Sequence, residues 1–436
     1  MKLSFNESNK TVWAIAFPML LSGISTPLLG MVDTAVVGHL SEAYYLGAIA
    51  LGAMIFTFVF WTMGFLRMST TGLTARASGA ENLSEVNNIL VRGVCLAFFI
   101  GLLFVALQFP IKLLAFSFIE SSQEIIFHAE NYFDIRIWAA PATLGTYVLL
   151  GWFLGLQKPG LNLLVVVSIN LLNIVLDLLL VFGLGLNSSG VAWATLIAEY
   201  VGLFLALYLV IKNTHFDFSK VTWSAVFQWA LIKNYLSINL NVFLRTLFLL
   251  LSFSFFTLQG AKFGPIVLAA NAVLMNFQTF MAYALDSLAH AAEVLVGKSL
   301  GSSDRDALKS VLWISAGWSL LIAVVFSLFY WLVGEAIING LTDLSEIRQM
   351  AMIYLPWLIV SPLVSVWSYW FDGVFIGAGY SVEMRNTMFW SFVVFFIAWY
   401  LLLPWENHGL WAALMIFMIA RALTMAFSAR RRLLFQ

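Results

Sequence analysis

The stretch LGAIALGAMIFTFVF, Leu46–Phe60, is apolar almost throughout, and a related stretch, LAANAVLMNFQTFMA, Leu268–Ala282, follows 222 positions later without a gap. The same offset aligns GWFLG, which begins at Gly151, with GVFIG, which begins at Gly373. Apolar segments resemble one another by chance, so each block alone is weak evidence. Because separate blocks share one offset, the sequence indicates a duplication that gave two similar halves.

Composition identifies the class of protein. Of the 436 residues, 62% are hydrophobic and 10% are charged, and the mean hydropathy is +0.93. A soluble globular chain carries about 25% charged residues. The composition therefore indicates a polytopic protein embedded in the lipid bilayer. The net charge is zero, so no basic surface suggests nucleic acid as a partner, and the lone Cys95 cannot form an intrachain disulfide.

Apolar runs of about 20 residues are long enough to cross the hydrocarbon core as helices. Twelve such runs lie near 12–37, 46–68, 89–109, 131–156, 161–183, 190–211, 231–257, 266–296, 308–333, 351–377, 387–404 and 409–428. With the duplication, they predict an all-α polytopic membrane protein of two six-helix bundles related by a parallel pseudo-two-fold repeat. We expect an N-terminal lobe at 1–213, a cytoplasmic linker at 214–230 and a C-terminal lobe at 231–436.

The distribution of lysine and arginine predicts the orientation. Fifteen of them fall on one side of the predicted spans, and only Lys112, Lys262 and Arg348 fall on the other. Since cytoplasmic loops carry the excess of these residues, both termini are expected in the cytoplasm. The short polar N-terminus lacks a cleavable signal pattern. We expect a multi-pass monomer in the inner (cytoplasmic) membrane.

The first predicted helix combines an acid with two prolines, in PMLLSGISTPLLGMVDTAVVGH, Pro18–His39. Asp33 lies at membrane depth, where a carboxylate costs roughly 2.5–3.5 kcal/mol and normally faces a protein interior or a watery cavity. Pro18 and Pro27 each remove a backbone donor and can bend the helix. A titratable group on a helix that can bend suits a switch driven by protons or ions. A buried acid with a polar partner, on a helix whose prolines only shape packing, is the alternative.

Helices five and six carry further polar side chains in the first half. Asn173 and Asp177 are four residues apart and share one helical face, Asn170 precedes them, and Thr195 lies on helix six. The side chains of Asp33, Asn173, Asp177 and Thr195 could form an oxygen-rich cluster, which suits a shared proton or a hard cation such as Na⁺. The alternative is that Asn173 and Thr195 only join helices.

In these residues the chain resembles the multidrug and toxic compound extrusion (MATE) transporters, and among them the DinF-like branch. LDSLAHAAEVLVGKSLG in helix eight and FDGVFIGAG in helix ten are also similar. The resemblance implies that Asp33 and Asp177 are coupling acids, that Asn173 and Thr195 support them, and that helix one bends at Pro18. It implies H⁺ or Na⁺ as the coupling ion, with these four polar residues as metal ligands only if Na⁺ binds, and no cofactor.

The second half has its own intramembrane acids, Asp286, Glu293 and Asp372. Asp372 matches the acid of helix ten that the NorM-like branch uses for Na⁺. That branch also has an acid in helix seven, where this chain has Arg245, so a complete second Na⁺ site is not expected. Arg245 either neutralises Asp286 or Asp372 as a structural pair or takes part in substrate binding or coupling. The candidates for substrate binding or secondary coupling are Asp286, Glu293, Asp372, Arg245, Asn170 and Glu199.

The sequence favours one of three function classes. The first is an antiporter that exports amphiphilic, mostly cationic compounds by alternating access, since its 39 Phe and 15 Met can hold such compounds by burial and cation–π contact. The second is a flippase for lipid-linked oligosaccharides, which would need more cationic side chains in its cavity than these membrane segments offer. The third, an enzyme, is not expected, because the chain lacks HExxH, GxSxG and a phosphate loop.

Overall fold

Backbone hydrogen bonding explains why the chain is helical. In the hydrocarbon core of a bilayer each spanning segment must satisfy its own N–H and C=O groups. The computed structural model describes residues 5–38, 42–117, 119 and 121–431, and within these ranges the chain forms helices and turns but no strand. Ten helical stretches of the described chain are long and apolar enough to cross a membrane. Together with Phe5–Gly38 and Ser381–Leu401 they make up twelve helices, which confirms the predicted fold class.

The twelve helices are numbered here in chain order. The first six are α1 (Phe5–Gly38), α2 (Ala43–Thr62 and Phe65–Gly79), α3 (Leu83–Ala106), α4 (Gln123–Arg136 and Ala140–Gly155), α5 (Pro159–Asp177) and α6 (Asn187–Asn213). The last six are α7 (Trp229–Ala261), α8 (Pro265–Gly301), α9 (Arg305–Leu341), α10 (Ser345–Ala378), α11 (Ser381–Leu401) and α12 (Glu406–Ala429). Short helices lie at Gln108–Phe116 and Trp223–Val226.

Two of the helices are interrupted. The two segments of α2 meet at Met63 and Gly64, and those of α4 are joined by a 3₁₀ turn at Ile137–Ala139. At this turn the carbonyl oxygen of Trp138 accepts a hydrogen bond from the Tyr200 hydroxyl of α6 at 3.0 Å. A side chain of the neighbouring helix α6 therefore donates a hydrogen bond to a backbone carbonyl group at the 3₁₀ turn of α4.

The second of the two glycine pairs aligned in the sequence lies at a close helix contact. Gly373 and Gly377 of α10 face α8, where a Cβ atom on Gly373 would lie 2.1 Å from the backbone oxygen of Ala289. A Cβ atom on Gly377 would lie 2.2 Å from the backbone oxygen of Glu293. Small residues four apart allow two helix backbones to approach closely in a membrane.

The first glycine pair makes the equivalent contact. A Cβ atom on Gly151 of α4 would lie 2.4 Å from the backbone oxygen of Arg67, and one on Gly155 would lie 2.8 Å from that of Thr71. Arg67 and Ala289 are 222 positions apart, as are Thr71 and Glu293. The partners of the two glycine pairs are thus related by the same offset as the glycines themselves. The predicted repeat is present as a repeated helix contact.

We expect Gly373→Ala to destabilise the protein by about 1–3 kcal/mol. The added methyl group would overlap backbone atoms of α8, and a change of side-chain rotamer cannot relieve that overlap. The measurement is the midpoint of thermal unfolding in detergent. Gly317→Ala is the matched control, since Gly317 lies in α9 and a Cβ atom there would meet nothing within 4 Å. Equal midpoints for Gly373→Ala and the unchanged protein would contradict the close contact.

The described chain forms two compact units. The first unit comprises Leu21–Leu236, and the second comprises the residues before Leu21 together with those from Ser237 onward. Within the second unit the rings of Trp13 and Trp318 pack edge to face with centroids 5.1 Å apart. The indole Nε1 of Trp318 also donates to Asn9 Oδ1 at 2.7 Å. The start of α1 is thereby attached to α9, so α1 contributes to both units.

The segment 214–230, between α6 and α7, belongs to the first unit. The Thr222 backbone N–H donates to Asn88 Oδ1 of α3 at 3.0 Å, and the Arg92 guanidinium donates to backbone carbonyl oxygens of the Trp223–Val226 helix. The Ser219 hydroxyl and backbone N–H both donate to Asp217, and these hydrogen bonds lower the pKa of the Asp217 carboxyl. The connection is therefore folded against α3.

Candidate functional site

The polar residues of α5 and α6 form one hydrogen-bonded cluster in the first unit. The hydrogen-bonding pattern assigns the Asn173 amide with its nitrogen donating to Asp177 Oδ2 at 2.9 Å. In that orientation its oxygen accepts from the Thr195 hydroxyl at 3.0 Å and from the Thr195 backbone N–H at 3.2 Å. Asn173 is 1% exposed and Asp177 is 0% exposed. Three of the four predicted coupling residues thus lie together, and we call Asn173, Asp177 and Thr195 the coupling cluster after the role that the sequence predicts for them.

The helix changes its geometry directly after the coupling cluster. The α-helical part of α5 ends at Asp177, and Leu178–Gly183 continue it as a π-helical segment. Segments of π-helix are rare in proteins, and those that occur are often found at functional sites. The predicted span 161–183 gave no indication of this change, because Leu178–Gly183 is apolar and its sequence looks the same in an α-helix and in a π-helix.

Helix α1 is hydrogen-bonded to α5 on the N-terminal side of the coupling cluster. The Asn170 amide nitrogen donates to the Ser25 hydroxyl oxygen of α1 at 3.0 Å. The predicted candidate Asn170 therefore contacts α1, and it lies two turns from Asp177. Pro18 lies within the continuous helix α1 and is partly buried. The side chains of Asp33 and Pro27 fall outside the part of the chain that the structure describes.

Glu199 lies one turn beyond the coupling cluster on α6 and has a basic neighbour. Its Oε1 lies 3.9 Å from Nη2 of Arg136, the last residue of the first segment of α4. Both side chains are largely buried. Arg136 was not among the sequence candidates, although it lies inside the predicted span 131–156, and a lone arginine at membrane depth is itself a signal of a function or a partner.

The second unit contains a separate group of four charged residues. Asp372 Oδ2 of α10 accepts a hydrogen bond from Arg421 Nη2 of α12 at 2.7 Å and forms a close ion pair with Arg245 of α7. Asp286 of α8 interacts electrostatically with both arginines. We call Arg245, Asp286, Asp372 and Arg421 the second-unit ion network. It contains two acids and two bases on four helices, so its formal charge is zero.

Both acids that the sequence offered as partners of Arg245 act on it in the second-unit ion network. The close ion pair is with Asp372, and Asp286 also interacts with Arg245 electrostatically. Glu293 lies apart from this contact, with its Oε2 3.2 Å from Nδ1 of His290. The acids of α8 thus have different partners, although their seven-residue spacing places them on one helical face. Among the described residues no group of three His, Cys, Asp or Glu side chains could hold a metal ion.

Comparisons with known proteins agree with the repeated fold. The MatE family profile matches residues 18–179 and 242–401, one segment in each half. The chain is 42% identical over 431 residues to DNA damage-inducible protein F of Escherichia coli (strain K12), covering 98% of this chain and 93% of that protein. It is 23% identical over 410 residues to multidrug resistance protein MdtK of Photorhabdus laumondii, covering 91% and 86%.

A solved structure shares the fold over nearly the whole length. The crystal structure of MATE in the bent conformation superposes with a TM-score of 0.89 at 19% identity, covering 98% of this chain and 95% of that one. At this level of identity the likeness shows the fold alone, whereas the family profile and the Escherichia coli relative show the family. The chain therefore belongs to the MatE family of multi-pass membrane transporters, and it is a transporter and not an enzyme.

Proposed function

We propose that the chain is a secondary antiporter that exports amphiphilic, mostly cationic compounds across the cytoplasmic membrane in exchange for H⁺. The observation that carries this proposal is the buried carboxylate of Asp177, hydrogen-bonded to Asn173, whose amide is in turn bound to Thr195. A carboxylate buried at membrane depth is costly, so such a residue usually has a function. Proton relays are among the attested functions. The relatives named for multidrug resistance support an exported small molecule.

Asp33 completes the proposed site by its helix register. Ser25 and Asn170 are in contact, and Asp33 lies eight residues after Ser25 while Asp177 lies seven residues after Asn170. At 1.5 Å per residue these separations are roughly 12 Å and 10 Å along their helices. By the predicted topology both helices run outward, so the two acids are expected at a similar depth. Two carboxylates in one poorly solvated place resist being ionised together, which favours proton uptake.

The orientation of the Asn173 amide supports H⁺ over Na⁺. Hard cations are bound by oxygen atoms. The amide nitrogen, and not the oxygen, faces Asp177, while the Thr195 hydroxyl is within hydrogen-bond distance of the Val191 carbonyl oxygen at 2.9 Å. In this orientation Asn173 offers no oxygen ligand beside the Asp177 carboxylate, so the cluster lacks the all-oxygen shell of a Na⁺ site.

The test uses purified protein in proteoliposomes with a fluorescent lipophilic cation such as ethidium. We expect an imposed pH gradient to drive accumulation and an imposed Na⁺ gradient at equal pH to drive none. Accumulation driven by Na⁺ alone would refute the proposed ion. Accumulation driven by neither gradient would refute antiport. The flippase alternative loses support because the matching family is MatE, and it predicts movement of lipid-linked sugar without either gradient.

A further inference from the structure

Arg136 lies beside two aromatic rings, and one nitrogen atom of its guanidinium group has no hydrogen-bond partner among the described residues. Its Cζ atom lies 5.6 Å from the ring centroid of Phe56 and 5.4 Å from that of Phe60, both on α2. Aromatic faces at this distance attract a guanidinium group. Its Nη1 atom is buried and has no hydrogen-bond partner within the described ranges. A buried guanidinium needs a counter-charge, and its ion-pair partner in the described structure is Glu199.

The contact between Arg136 and Glu199 is one of charge more than of hydrogen bonding. Their closest nitrogen and oxygen atoms are 3.9 Å apart, which exceeds hydrogen-bond length. Thr143, from the second segment of α4, also faces Glu199. Helix α2, which packs on both α4 and α6, adds the two phenylalanine rings and no charge at this position. Arg136 is therefore the charged group that opposes Glu199 among the described residues.

The pair lies next to the coupling cluster. Glu199 follows Thr195 by four residues on α6, so the two side chains share a helical face. Four residues of a helix rise about 6 Å, which puts Glu199 roughly 10 Å from Asp177 through Thr195 and Asn173. Asn173 is buried and Thr195 is partly buried, and charges separated by this distance inside a protein are weakly screened. A change in the charge of the pair must reach Asp177.

We propose that Arg136 and Glu199 form a neutral electrostatic pair that sets the affinity of the coupling cluster for its coupling cation, with Arg136 as a positioning residue. This inference rests on the proposed antiport. In this proposal the Arg136 guanidinium offsets the cost of burying the Glu199 carboxylate, and the coupling ion is taken up by the coupling cluster. The pair contributes no net charge near Asp177, and removal of either member exposes the charge of the other.

The experiment measures the pH of half-maximal export in proteoliposomes for four variants. Glu199→Gln leaves a positive charge, which opposes cation binding, so we expect the midpoint to fall by about one pH unit. Arg136→Gln leaves Glu199 without its counter-charge, so we expect the midpoint to rise or, where the buried carboxylate takes up a proton itself, to stay at the wild-type value. The double variant, which again has no net charge at the pair, should return to the wild-type midpoint. Arg136→Lys keeps the positive charge and should also keep the wild-type midpoint.

Opposite shifts that cancel in the double variant support an electrostatic pair, because a merely structural role does not give shifts of opposite sign. Equal midpoints in all variants, or shifts in the same direction, would overturn the inference. Glu199→Gln keeps the shape of the side chain, so its midpoint decides even if Arg136→Gln fails to fold. If wild-type export is driven by Na⁺ instead, the proposed ion fails, and the same variants should change the apparent Na⁺ affinity about tenfold in opposite directions.

Discussion

Asp177→Asn is expected to reduce uphill export to the level of empty vesicles while the protein remains folded. Asparagine keeps the shape of the side chain and an oxygen that accepts the hydrogen bond from Asn173, but it cannot bind or release a proton at physiological pH. Downhill exchange of substrate can persist, since it needs no ion. The measurement compares accumulation of a lipophilic cation under a pH gradient, at equal protein content, with the unchanged protein.

The control for Asp177→Asn is Asp343→Asn. Asp343 is fully exposed in the connection before α10, where it pairs with Arg348 at the surface. Exposed ion pairs contribute little, so this variant should export normally. Full uphill export by Asp177→Asn would remove Asp177 from the coupling site and leave the cluster as a helix contact.

The combination of Asp177→Asn with Asp33→Asn tests whether the two acids act as one unit. Residues of one network show non-additive effects, so the double variant should lose little more export than either single variant. The measurement is the initial rate of gradient-driven export in all three variants. Independent multiplicative losses would show that the acids serve separate steps.

The fold could be predicted from the sequence because its signals are local or periodic. Uniformly apolar runs give the number of helices, and the 222-residue offset gives the repeat, down to the glycine pairs at Gly151 and Gly373. The four-residue spacing of Asn173 and Asp177 placed them on one face, and the structure joins them. Each of these features depends on residues within one helix or on one constant spacing.

The features that could not be predicted depend on which helices become neighbours. The contact of Arg421 with Asp372 joins residues 49 positions apart, and that of Arg136 with Glu199 joins α4 to α6. Neither pair has a spacing that marks it. The 3₁₀ turn in α4 also has a hydrogen-bond partner that is distant in the sequence, the Tyr200 hydroxyl. Charged residues in apolar spans indicated that partners exist but not which partners they are.

Asp372→Asn is expected to destabilise the second unit by about 3–5 kcal/mol, because it breaks a buried pair and leaves two guanidinium groups opposite the single charge of Asp286. Arg421 is 1% exposed and cannot turn to water. The measurement is the midpoint of thermal unfolding in detergent. The cost is expected whether or not the network takes part in transport, since it follows from charge and burial alone.

The charge count of the ion network provides the matched comparison. Asp372→Leu combined with Arg421→Met removes one charge of each sign and leaves Arg245 opposite Asp286, so the formal charge of the network returns to zero. Replacing a buried ion pair by apolar side chains is often neutral, and this double variant should therefore be more stable than Asp372→Asn. If it also exports normally, the network holds helices together. If it folds but loses gradient-driven export, Asp372 or Arg421 takes part in coupling or substrate binding. An unchanged midpoint of thermal unfolding for Asp372→Asn would contradict the ion network itself. A buried carboxylate that bridges two arginines cannot be neutralised without a loss of stability.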